Sequence, residues 1–197
     1  KQVHDVIHSI DATENYAKIG GACAFAITIA ATESAAKAEN KQFFQMISDK
    51  SDLKFPFPLG NILGGGAHAG PGTPDIQEIL VASIGAKTVR ESIDMNLQVH
   101  KELKKLILKG DPTFTNGRGD EGGWAPKFNN EEALDISVKA IENLGFTLGK
   151  EVALGVDFAS STQWNEDKEK YVYERAGFEN DSGEQIEFAS GIIDKYK

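Results

Sequence analysis

The chain has 197 residues, 40% hydrophobic and 26% charged, a mix that excludes a disordered polypeptide and allows a sizeable core. Thirty Asp and Glu against 21 Lys and Arg give a net charge of -9, which argues against the broad positive field that nucleic acid or an anionic membrane demands. A lone cysteine, Cys23, excludes an internal disulfide, and neither an apolar run near the ~18 residues of a membrane span nor a basic-apolar leader is present, so a cytoplasmic protein is expected.

Residues 22–38, "ACAFAITIAATESAAKA", are apolar almost all round until Glu33 and predict a helix buried on several sides, started by Gly20-Gly21. In "KFPFPLGNILGGGAHAGPGTPD" four prolines exclude a long helix, leaving a short strand near 57–63 and then a loop. "IQEILVAS" (76–83) predicts a second buried strand. From Thr88 to Leu108, Val89, Ile93, Leu97, Leu103 and Ile107 recur at helical spacing, with His100 on the same stripe. A further helix over 130–144 is begun by Asn129 with Glu132 three positions on, is stopped at Gly145, and turns Leu134, Val138 and Ile141 inward. "VALGVDF" (152–158) predicts the most clearly buried strand. A hairpin around "KYVYE" and a helix after Ser182 follow. The Pro/Gly-rich stretch divides a helical piece, 1–54, from an α/β piece, 55–197.

Four side chains stand where a strand gives way to a loop or lies next to one: His68, Glu78, Glu121 and Asp157. In α/β folds ligands gather at such ends, because the loops there project side chains over a rigid platform. "GRGDEGGWAP" (117–126) sets Asp120 and Glu121 among glycines that allow close backbone approach. Its apolar Trp-Ala-Pro ending is expected to cover Glu121 and raise its pKa toward that of a general acid. Gly117, Gly119 and Gly122 also spell G-x-G-x-x-G, but no strand precedes them and two carboxylates would repel a pyrophosphate. "HDVIH" (4–8) lacks the glutamate of the H-E-x-x-H metalloprotease pattern and reads as an amphipathic turn.

Five segments, in order, resemble signatures of the enolases, the phosphopyruvate hydratases of glycolysis. "KIGGACAFAITIA" is similar to the K-x-G-A-N-A helix entry, "NILGGGAHAG" to N-x-x-N-G-G-x-H-A, and "DIQEILVASIGAKT" to the D-I-Q-E strand with its G-A-K-T. "GDEGGWAP" is similar to G-D-E-G-G-x-A-P, and "VALGVDFASS" to the strand that ends in the first metal aspartate. The resemblance implies the first portion of an enolase-type (β/α)8 barrel, two strands, two helices and then βα units, preceded by the helical end of an N-terminal α+β domain. It implies a Mg²⁺-dependent carbon–oxygen lyase acting on 2-phosphoglycerate. Glu121 would be the general acid on the leaving 3-hydroxyl, Glu78 its proton-sharing partner, His68 a histidine closing toward substrate, and Asp157 a Mg²⁺ ligand. The parent protein would be a homodimer or larger homo-oligomer.

Departures from the pattern are Gly64 and Ala22 in place of asparagines, Thr162 in place of a glutamate, and one extra residue between His68 and Glu78. The family's lid serine, two further metal carboxylates, lysine base and phosphate-binding arginine are expected outside the 197 residues, which begin with Lys rather than Met. The alternative is an inert piece that serves only as a packing or interaction surface, its open strand edges prone to pairing. Another lyase or isomerase of the wider superfamily fits the motifs less well.

Overall fold

The computed structural model describes residues 2–48, 50 and 52–196, and the chain divides into two units, Lys1–Lys54 and Phe55–Lys197. The first unit is helical: α1 (Gln2–Ile10), α2 (Gly21–Ala38) and α3 (Phe43–Ile47). Its turn after α1 is organised by buried Asp11, whose carboxylate accepts hydrogen bonds from the amide and hydroxyl of Thr13 and the amides of Lys18 and Ile19. These bonds, the Thr13 hydroxyl foremost, hold its pKa well below the usual carboxylate range. The expectation that α2 is buried on several sides is not met, since only Ala24 and Ala36 are buried while Phe25, Ile27 and Ile29 are exposed. Helices of 9 and 5 residues cannot cover every face of one of 18.

In the second unit β1 (Leu59–Gly64), β2 (Glu78–Ala82) and β3 (Ala153–Asp157) form a sheet in that order, with both pairings antiparallel. β1 and β3 therefore run the same way with β2 reversed between them. Among the described residues the sheet does not close into a barrel. Helices α4 (Val89–Gly110) and α5 (Asn130–Asn143) cover one face. Ile79 and Val81 of β2, opposite Val156 and Leu154 of β3, pack there with Val99, Leu103, Ile107, Leu134 and Ile141. The alternation of a strand then turns Glu78 and Leu80, with Asp157 and Gly155, to the other face.

The predicted stripe on α4 is half wrong. Leu103 and Ile107 are buried, but Val89, Ile93 and Leu97 are exposed, and Ser92, Met95, Asn96 and Val99 complete the inward face. Asn96 sets that rotation. Its amide nitrogen donates to the Pro58 carbonyl at 2.9 Å and its oxygen accepts from the Ser83 hydroxyl at 2.7 Å, so a buried amide is satisfied at both ends. Helix α5 begins as its pattern predicts, with Asn129 and Glu132 capping each other, but Ala133, Ser137 and Ala140 share its buried face and Val138 is only half-buried. β3 is half-buried rather than the most buried strand, because among the described residues of this sheet it pairs with β2 alone.

Beyond β3, a short helix α6 (Ser160–Gln163) leads into β4 (Trp164–Asn165), β5 (Lys170–Tyr173) and β6 (Phe178–Asn180), a three-stranded sheet where a hairpin is predicted. Helix α7 (Ser182–Lys195) packs its Phe188 edge-on to Tyr173 and Phe178, and the Gln185 amide donates to the buried Tyr173 hydroxyl at 2.6 Å.

Candidate active site

Register assembles the site. Gly64 at the end of β1, Glu78 at the start of β2 and Asp157 at the end of β3 are successive cross-strand partners. Glu78 and Asp157 therefore project from one face at one end of the sheet. Directly opposed residues have Cβ atoms only about 5 Å apart.

The loop between β1 and β2 carries His68 at the end of a 3-10 turn (Gly66–His68) and brings its Nδ1 to 3.3 Å from Glu78 Oε1. The extra residue between the two does not separate them. That nitrogen is buried and makes no well-formed hydrogen bond among the described residues. The loop is held from outside by Arg175, in the turn between β5 and β6. Its guanidinium donates to the carbonyls of Thr73 and Pro74 at 2.7 and 2.6 Å, and the Asp75 carboxylate accepts from the amides of Arg175 and Ala176. Nothing in the local sequence marks Arg175, which lies about a hundred residues from its partners.

The loop that carries Glu121 is pressed against the first. Asp120 N donates to the His68 carbonyl at 3.2 Å, Gly119 N to the Gly123 carbonyl at 2.9 Å, and Trp124 N to the Ile62 carbonyl at 3.0 Å. A Cβ at Gly119 would lie 2.7 Å from the His68 carbonyl oxygen, and one at Gly123 would lie 2.3 Å from Asn61 Oδ1. Close approach therefore explains Gly119 and Gly123, while Gly122 has a positive φ of 85° and Gly117 lies in open space.

Glu121 itself is exposed, which corrects the expectation that Trp-Ala-Pro covers it. The indole of Trp124 is buried on the far side of the loop, stacked on His100 with centroids 4.6 Å apart. Burial falls on Glu78 instead. Its pKa is raised, first by burial and then by the hydrogen bond and charge of Glu121 and the charge of Asp157, against an opposing effect of His68. Asn61, not singled out by the sequence reading as a site residue, brings Nδ2 to 3.5 Å from Glu121 Oε2.

His68, Glu78 and Glu121 each offer a ligand atom, all within 4.8 Å of one another. Asp157 is outside that set but bears on Glu78 through its charge. Its Oδ1 accepts from the Ala159 amide at 2.8 Å, which orients the carboxylate and leaves Oδ2 for another partner. Of the groups acting on Glu78, only His68 favours its ionised form, so this oxygen-rich cluster suits a hard divalent cation.

Ligating and titratable side chains gathered at one end of a helix-backed sheet, beneath its loops, are the layout of an α/β-barrel enzyme domain. Residues 52–197 match the family model of the enolase C-terminal TIM barrel domain. The chain is 44% identical over 197 residues to the enolase of Methanosphaera stadtmanae, covering 100% of this chain and 48% of the relative. It is 42% identical over 191 residues to the enolase of Methanothermobacter thermautotrophicus (97% and 46% covered) and 35% over 182 residues to that of Mycoplasmoides gallisepticum (89% and 38%). The chain belongs to the enolase family, and it spans about half the length of the curated relatives it matches.

Proposed function

We propose that this chain contributes the acid half of an enolase active site, in a protein that converts 2-phosphoglycerate to phosphoenolpyruvate by loss of the C2 proton and the 3-hydroxyl as water. The observation that carries the reading is Glu78, buried, hydrogen-bonded to Glu121, opposed by Asp157, and raised in pKa by all three circumstances. Two carboxyls so coupled hold one proton between them. Glu121, on the exposed side of the pair, delivers it to the departing hydroxyl, while Glu78 stores it and orients the donor. His68, against Glu78, contacts the substrate from the loop above.

Asp157 would hold Mg²⁺ through its free oxygen. When bound, the ion offsets the negative charge of the substrate carboxylate and of the enolate that develops, as in enolase-superfamily sites generally. The base, further metal carboxylates and phosphate-binding arginine implied by the family have no assigned counterpart in these residues, so the 197-residue piece alone is inactive. Among the described residues no strand of the sheet pairs with the far edge of β3, which agrees with an unfinished barrel. The unit Lys1–Lys54 is read as the helical end of the N-terminal enolase domain, and the whole protein as a cytoplasmic homo-oligomer.

The test is Glu121→Gln in the whole protein. Loss of a general acid lowers kcat by about 10²–10⁴-fold, with the fold retained by circular dichroism. Turnover equal to wild type removes Glu121 from the acid role.

A further inference from the structure

We infer that His100 of α4 is a positioning residue for Glu121, holding the acid-bearing loop from behind through the Gly122 carbonyl. The inference rests on the acid role of Glu121 proposed above.

The Glu121 side chain has little to fix it. It is exposed, and among the described residues it has Glu78 and His68 within 4.8 Å and Asn61 Nδ2 at 3.5 Å. Its position therefore depends on the backbone on either side. On one side Asp120 N is bound to the His68 carbonyl. On the other, Gly122 N donates to Gly119 O at 3.0 Å, and Gly122 O lies 3.1 Å from His100 Nε2.

A carbonyl oxygen only accepts, so Nε2 of His100 carries the proton. Burial lowers the pKa of the ring, as do nearby Arg118 and Lys104, against the opposing pull of the Gly122 bond. The return contact comes from Trp124, whose Nε1 donates to the His100 carbonyl at 2.8 Å while its indole stacks on the imidazole. Trp124 is tied to β1 in turn, donating to Ile62 O and accepting from Gly64 N. Helix, loop and strand thus close a circuit around the peptide that follows Glu121. An error of about 1 Å in a reacting group costs on the order of 10²-fold in rate, which is how a residue that never touches substrate controls turnover.

Packing and hydrogen bonding are separable here. His100→Phe keeps an aromatic ring for Trp124 and removes the donor, whereas His100→Gln places an amide N–H near the position of Nε2 and removes the ring. In the whole protein, H100F is expected to lower kcat roughly 10- to 100-fold with KM little changed, and H100Q to recover most of the loss. Amide exchange at 119–123 should accelerate in H100F and stay slow in H100Q, with α4 and β2 protected in both. Wild-type kcat and exchange in H100F overturn the proposal. So does an H100Q as impaired as H100F, and H100Q decides alone if H100F does not fold. A wild-type protein that forms no phosphoenolpyruvate defeats the enolase reading, and the exchange data still decide the clamp.

Discussion

Glu78 and Asp157 face each other directly across the β2–β3 pair, two acids on one face of one sheet. Like charges so placed destabilise a sheet, and the cost lands on Glu78 because it is the buried one.

A pH-dependent stability follows. The folded pKa of Glu78 lies above its unfolded value, so the folded state holds the proton more tightly, and stability falls as pH rises from near 4.5 toward the folded pKa. Glutamine has no proton to lose. Glu78→Gln should melt with wild type near pH 4 and above it at pH 7–8, while turnover in the whole protein drops. A melting difference constant across that range would show that the acid pair carries no folding cost.

Gly119→Ala places a methyl against the His68 carbonyl, which cannot retreat because it also accepts from Asp120 N. The expected cost is about 1–3 kcal/mol by urea unfolding. Gly117→Ala, two residues earlier in open space, should stay within about 0.5 kcal/mol of wild type. Equal effects at the two positions would mean that close approach is not what the glycine frame serves.

Arg175→Ala removes the donors that gather the Thr73 and Pro74 carbonyls beneath the His68 loop. Proteolysis or amide exchange within 66–77 should rise by about tenfold, corresponding to some 1–1.5 kcal/mol of local opening, with the α4–α5 core unaffected. Unchanged protection in that loop would assign its order to other contacts.

Asp11 has the opposite sign. Its folded pKa lies below the unfolded value, so its stabilisation is present above about pH 3.8 and is lost as pH falls through the folded pKa. The Lys18 and Ile19 amide resonances should stay in place through pH 3.8 and move only well below it. Asp11→Asn should shift them already at neutral pH, and a variant with native shifts would show the turn to be held by other groups.

Local chemistry made much of the molecule readable. Asn129 and Glu132 announce α5 by capping each other, Gly145 ends it with positive φ, and short apolar runs mark β2 and β3. These signals act over a few residues, so the sequence by itself placed α5, β2 and β3 and put Glu78 and Asp157 at strand ends. The family motifs were legible for the same reason, being short and contiguous. Tertiary structure decided the rest. Asn96 turned α4 away from its apolar stripe through partners 13 and 38 residues distant, Trp124 went to His100 instead of covering Glu121, and Arg175 reached back 101 and 102 residues to the His68 loop. Desolvation and Coulomb interaction depend on separation and burial, and both are set when distant segments close into register. Which carboxyl has its pKa raised was therefore decided by the pairing of β2 with β3 and the closure of two loops.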